Sequence, residues 1–140
     1  VLPIDTLHAV AEQARHQHGA QQVVAVLDAR MDEVYAAHLH WEQDRWHTES
    51  GLVLVAPEHI HAPAGWTVAG NAQAAYPTRL APTAEHVRAL PTAAALLRLA
   101  PALLAAGQDV DANGAMPLYL RDKVAQTTAE REALRMGKPA

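Results

Sequence analysis

At 140 residues the chain is long enough for one domain with its own hydrophobic core, half of it is apolar, and no long uncharged apolar run offers a membrane span. A net charge of −4, with Arg and Lys scattered except for a loose cluster toward the C-terminus, disfavours a domain whose own task is gripping a nucleic-acid backbone. The absence of cysteine excludes disulfides, thiolate nucleophiles and thiolate metal ligands, and it fits a reducing cytoplasmic setting.

Val1-Leu2-Pro3-Ile4 has neither the basic lead nor the apolar stretch of a signal peptide, and the chain reads as one entered partway along. Residues 6–18 are predicted as an amphipathic helix: Asp5-Thr6 offers an N-cap, Leu7, Val10, Ala11 and Ala14 recur at helical spacing, and Gly19 is a stop. Gln22 to Asp28 is apolar on both faces, the pattern of a central strand covered on two sides. Val34 to Trp41 alternates instead. Tyr35, Ala37, Leu39 and Trp41 share one face, and Val34, Ala36, His38 and His40 share a more polar one. The residues between these strands, Ala29 to Asp32 or one step later, suit a hairpin.

A third strand is expected within 45–55, a helical turn at Pro57 to Ile60, and a fourth strand at Trp66 to Ala69, ended by Gly70-Asn71. Ala72 to Tyr76 reads as a helical turn stopped by Pro77, and Thr83 as the cap of a helix through Leu90. Pro91 suits the first turn of a further helix, whose Leu96, Leu99, Ala100, Leu103 and Leu104 form an apolar stripe ending at Gly107. That stripe reads as core, and Pro101 within it is expected to kink or divide the helix. Residues 107–115 read as a polar loop and 117–121 as an extended segment, while Thr127-Thr128-Ala129-Glu130 spells a capping box for a terminal helix. The order implies an α/β fold, a mixed sheet with helices packed on it, compatible with a ribonuclease-H-like lobe.

Two short motifs decide what the chain resembles. Asp28-Ala29-Arg30-Met31-Asp32-Glu33-Val34-Tyr35 follows the buried strand, and Pro117-Leu118-Tyr119-Leu120-Arg121-Asp122-Lys123-Val124-Ala125 lies near the end. With Ala69-Gly70-Asn71 closing a later strand and Pro91-Thr92-Ala93 opening an apolar helix, the chain resembles the TsaB (YeaZ) family of tRNA threonylcarbamoyladenosine biosynthesis. The resemblance covers nearly the whole chain but only the second half of the family's usual length. It implies that residues 1–140 form a single domain, the C-terminal lobe of an actin-like (ASKHA superfamily) protein. The N-terminal lobe, with its Asp-Thr-Ser strand and Gly-Pro-Gly-Ser-Phe-Thr-Gly loop, would then be absent, and Ile4-Asp5-Thr6 would belong to the segment leading out of it.

The resemblance further implies a cytoplasmic, non-catalytic subunit without cofactor or metal. Its partners would be a TsaD-like catalytic subunit, which modifies the adenosine beside the anticodon, and a TsaE-like ATPase. tRNA would be handled indirectly, and a homodimer would form through helices of the absent lobe. A chain lacking that lobe is expected to fold but to bind TsaD poorly. The family-motif positions are Asp28, Arg30, Glu33, Tyr35, Gly70, Asn71, Pro117, Tyr119, Arg121 and Asp122, in structural or interface roles. Two departures stand out: Asp32 where the family often has glycine, and Asn71-Ala72 in place of a common Asn-Gly. The second disfavours a phosphate-cradling loop.

Other chemistries are tested by what they require. A two-metal nuclease needs several converging carboxylates, and of Asp28, Asp32 and Glu33 only Asp28 sits well at a strand end. Asp28 or Arg30 is therefore expected to fix the hairpin by hydrogen bonds, with Glu33 paired to a cation. Among nine histidines, His16/His18, His38/His40 and His59/His61 invite a metal reading, yet no His-Glu-x-x-His helix or carboxylate-backed set accompanies them. Ser50, the lone serine, has no nucleophile elbow. Arg121 and Asp122 are expected to anchor the closing segment by salt bridges with Tyr119 packed on the domain; the sharper alternative is a partner or tRNA surface that adds Lys123, Arg131 and Arg135. The family's older glycoprotease-like label supplies the competing function, a metal-dependent hydrolase or peptidase with a histidine-held metal.

Overall fold

The computed structural model describes residues 1–121 and 127–137. Helix α1 (Thr6–His18) is capped by the Asp5 carboxylate, which accepts from the Leu7 N–H, and it stops at Gly19 in a left-handed conformation. Three antiparallel strands follow, β1 (Gln22–Arg30), β2 (Glu33–Glu42) and β3 (Arg45–Val55). β4 (Thr67–Gly70) returns parallel to β1, and β5 (Glu85–Arg88) lies parallel to β4. The sheet order is β3-β2-β1-β4-β5. Helix α2 (Ala93–Ala105) packs on α1, and α3 (Thr128–Met136) ends the described chain.

β1 is central because both of its faces are buried. Val23 and Ala25 face Leu7, Val10, Ala11 and Ala14 of α1, while Val24 and Val26 face a second cluster with Ile60, Trp66, Val68 and Tyr76. The second side is covered by the loops after β3 and β4 rather than by a described helix. Val34 and Ala36 of β2 belong to it and are fully buried, so the polar character of that face is confined to His38 and His40.

Both hairpins use two-residue turns with positive φ at each central residue, Met31-Asp32 (55° and 62°) and Gln43-Asp44 (53° and 60°). That is the backbone handedness that matches strand twist, reached here without glycine. Arg30, at 63°, adds a third consecutive left-handed residue, and the β1–β2 register shifts between Asp28 and Arg30.

Four expectations are corrected. Residues 83–90 hold strand β5, not a helix: β4 offers a free edge, and Val87 and Ala89 both pack into the α1-side cluster. Pairing to that edge overrides local propensity. Pro91 lies before the N-cap rather than inside the first turn, because the Thr92 hydroxyl accepts from the Ala95 N–H and starts the helix at Ala93. Of the two outcomes expected at Pro101, division of α2 does not occur, since the helix runs through it as one element. The leucine stripe is core only in part, since Ala95 and Leu99 are buried whereas Leu96, Leu97 and Leu104 are exposed. The capping box is present as spelled: the Thr127 hydroxyl accepts from the Glu130 N–H, and the Glu130 carboxylate accepts from the Thr127 N–H. Residues 107–115 include one short 3₁₀ turn at Ala112–Gly114. Among the described residues no helix is long and apolar enough to cross a membrane.

Candidate functional site

The two sequence motifs meet at the β1–β2 hairpin. Asp28 is tied down on three sides: its N–H donates to Asn71 Oδ1 (2.8 Å), and its Oδ1 accepts from the Arg30 N–H (3.0 Å) and the Tyr76 hydroxyl (3.2 Å). Burial, followed by the neighbouring Asp28 carboxylate, raises the Tyr76 phenol above its ordinary pKa. Asn71 reaches Asp28 because Gly70 lets the β4 backbone turn directly against β1. Gly70 has φ +147°, and a Cβ there would lie 1.7 Å from the Val26 carbonyl oxygen. The Gly-Asn pair thus ends a strand and fastens its neighbour.

Arg121 closes the hairpin from the other end of the sequence. Its Nη2 donates to the carbonyl oxygens of Ala29 (2.9 Å) and Arg30 (3.2 Å) and pairs with the Glu33 carboxylate (3.2 Å). The guanidinium satisfies carbonyls that the bulged, left-handed backbone turns away from the ladder. At the hairpin tip Asp32 pairs with Arg79 (2.8 Å), which also pairs with Glu58 and lies over the Tyr76 ring. Hydrogen bonding to Glu58, then to Asp32, raises the pKa of Arg79 further above the range in which a guanidinium could lose its proton. The three acids of the motif are therefore held by Tyr76, Arg79 and Arg121, not aimed at one empty point.

Replacing Arg121 by alanine is expected to loosen the clasp without unfolding the domain. Amide exchange should rise at residues 29–33 and 116–121 while the melting temperature moves little, since the contacts are partly exposed. Unchanged exchange in the alanine variant would show that the clasp holds nothing.

Five of the predicted positions, Asp28, Tyr35, Asn71, Pro117 and Tyr119, line one trough of about 800 Å³ between the N-terminal segment and residues 116–120. Ile4, Leu27 and Leu52 make its wall largely apolar. Tyr119 does not pack on the domain as expected: it is 83% exposed, beside exposed Met116 and Leu118. Arg30 contributes backbone only to the contacts described. Asp122, Lys123 and Val124 lie outside the described residues.

The histidine pairs do not converge. His38 Nε2 lies 2.6 Å from the His61 carbonyl oxygen, so that nitrogen carries the proton and donates. His40 sits between Glu49 (3.1 Å) and Glu42 (3.6 Å) and stacks on His47. His16 and His18 fall on different sides of the last turn of α1. Among the described residues no three His, Asp or Glu side chains are placed to share a metal ion.

Sequence reasoning missed a buried ionic cluster. Glu12 is 1% exposed, yet its carboxylate accepts from Arg15 (2.8 and 2.9 Å), Trp46 Nε1 (3.0 Å) and Arg98 (3.1 Å). Gln13 Oε1 adds bonds from Arg98 (2.8 Å) and the Thr92 hydroxyl (3.0 Å). Burial alone would raise the Glu12 pKa, but the hydrogen bonds from Arg15, Trp46 and Arg98 together hold it below its ordinary value. The only advance signal is Arg15 three residues after Glu12; the partners from β3 and α2 are far along the chain.

No protein-family model matches the chain. The Escherichia coli K12 protein named tRNA threonylcarbamoyladenosine biosynthesis protein TsaB is 31% identical to it over 135 residues, spanning 89% of this chain and 58% of that protein. The chain belongs to the TsaB/YeaZ family. Solved structures agree: YeaZ from Pseudomonas aeruginosa superposes with a TM-score of 0.79 at 34% identity, covering 86% of this chain and 58% of that one. A Pseudomonas aeruginosa protein described as similar to the peptidase YEAZ gives 0.76 at 34%, covering 84% and 57%. The mixed α/β fold of the YeaZ structures is thereby shown, consistent with an actin-like, ribonuclease-H-like lobe, and the chain spans under two thirds of the length of these relatives.

Proposed function

We propose that this chain is the second lobe of a TsaB-like protein and acts as a non-catalytic subunit in threonylcarbamoyl modification of tRNA. In this reading the lobe supports a TsaD-like catalytic subunit and a TsaE-like ATPase, and it meets tRNA only through them, in the cytoplasm. The observation that carries the reading is the 31% identity to E. coli TsaB over 135 residues. The geometry supports it: the acids of the hairpin motif are committed to holding the hairpin, and the motif residues line an apolar trough edged by exposed Met116, Leu118 and Tyr119. Such a surface serves contact with protein better than proton transfer.

The test is a chimera. The part of E. coli TsaB that this chain does not span is joined to it and expressed in TsaB-depleted cells, and threonylcarbamoyladenosine is measured in total tRNA by mass spectrometry. The chimera is expected to restore the modification and this chain alone is not. A folded chimera that leaves tRNA unmodified sinks the proposal. The peptidase reading rests on the description of one relative. It would gain ground if dialysed protein kept a stoichiometric metal that replacement of His38 and His40 removed.

A further inference from the structure

We propose that Asn113-Gly114 is a self-modification site, at which the loop between α2 and the rim of the trough converts its asparagine to isoaspartate without an enzyme. The chain has two asparagines, and the fold treats them oppositely. Asn71 is fastened through its Oδ1 to the Asp28 N–H (2.8 Å) and is followed by Ala72, which is 1% exposed. Asn113 stands at the centre of the 3₁₀ turn Ala112–Gly114, exposed together with its neighbours from Asp109 to Gly114. Its successor is glycine, the residue that least obstructs approach of the backbone to the asparagine side chain.

The chemistry is an internal acyl transfer followed by hydrolysis. The Gly114 backbone nitrogen attacks Asn113 Cγ and closes a succinimide ring. The Cγ–Nδ2 bond breaks, and the Gly114 amide proton leaves with Nδ2 as ammonia. Water then adds to one of the two ring carbonyls. Opening at the main-chain carbonyl of Asn113 gives isoaspartate, and opening at Cγ gives aspartate; nothing is oxidised or reduced. In the intact turn the Gly114 N–H donates to the Asp111 carbonyl (2.8 Å), so the nucleophile is released only when the turn opens. A single 3₁₀ turn with no buried residue opens at little cost.

The position gives the change a consequence. The Met116 N–H donates to the Gly114 carbonyl (3.1 Å), so the turn leads straight into the rim of the trough. On its other side Val110 is paired with Val1 through both of its main-chain polar groups (2.8 and 2.9 Å). Isoaspartate puts one extra carbon into the main chain and a new carboxylate beside Asp109 and Asp111. The turn then no longer holds Met116 and Val110 in place. The conversion depends on the dipeptide and its turn alone, independently of the function proposed above.

Peptide mapping of the folded chain stored in mildly alkaline buffer tests it, with isoaspartate detected by a protein isoaspartyl methyltransferase. The Asn113 peptide is expected to exchange its amide for an acid and to accept methyl groups, while Asn71 stays intact. Gly114→Ala is expected to slow the conversion by about tenfold or more. Its Cβ would meet the Val110 side chain at 3.4 and 3.5 Å, ordinary contact that keeps the turn. In the converted fraction, separated by charge, amide exchange should rise at residues 110–120. Asn113 that survives while the same chain in denaturant converts overturns the proposal, as does conversion equally fast at Asn71 or in Gly114→Ala. Unchanged exchange in the converted fraction overturns the coupling to the rim.

Discussion

Gly70→Ala is expected to cost at least about 3 kcal/mol and to lower the melting temperature by about 10 °C or more. The new methyl carbon would lie 1.7 Å from the Val26 carbonyl oxygen, with further Val26 backbone atoms at 2.8 and 3.3 Å. A flexible side chain could swing aside, but a strand backbone cannot. The clash sits where β4 pairs with β1, the strand buried on both faces, so relief requires moving the centre of the sheet. The φ of +147° at Gly70 adds a second penalty for any L side chain. Thermal unfolding followed by circular dichroism checks this, and a melting temperature equal to wild type would contradict the approach of β4 to β1. The same substitution should free the Asp28 amide to exchange, because Asn71 could no longer reach it.

Glu12→Gln is expected to destabilise by about 2–4 kcal/mol. Glutamine matches the shape but leaves the guanidinium groups of Arg15 and Arg98 without their counter-charge. The figure is set below that for a fully dry pair because the two arginine side chains keep 31% and 26% exposure. The wild-type carboxylate also makes stability depend on pH. Its folded pKa lies below its ordinary value of 4.5, so the unfolded chain takes up the proton first as pH falls. The stabilisation is complete above that ordinary value and is lost as pH drops through the lowered folded value. Denaturant melts of wild type and Glu12→Gln across the acid range should therefore converge as the solution becomes more acidic. Parallel curves would show that Glu12 is not ionised in its buried site.

The hairpin and the buried carboxylate show two different limits of the sequence. The helix at 6–18, the central strand at Gln22 to Asp28 and the capping box at Thr127 were legible, because each is written in adjacent residues by periodicity or by a cap. The motif residues were legible as a group, but their arrangement was not. That Arg121 binds the carbonyls of Ala29 and Arg30 follows from a contact spanning roughly ninety residues, which no local pattern encodes. Tyr119 was misjudged for a related reason. Aromatic residues are usually buried, and only the path of residues 116–120 along the rim of the trough leaves this one in water. Residues 83–90 carry helix-compatible local signals and become a strand because β4 presents an unpaired edge.

By itself, then, the sequence determined the elements that local periodicity and capping write, the absence of disulfide and thiolate chemistry in these residues, and the family resemblance through its two motifs. The tertiary structure alone decided which charges are buried. α1 is amphipathic when read against the sheet, and Glu12 then belongs to its polar side. Packing of α2 and β3 over that side makes the helix a largely buried one, and it turns an ordinary surface glutamate into the buried hub of a network whose arginines still reach solvent. The same packing decided which face of α2 stayed in solvent, because a helix that is apolar all round states no preference until its neighbours are in place.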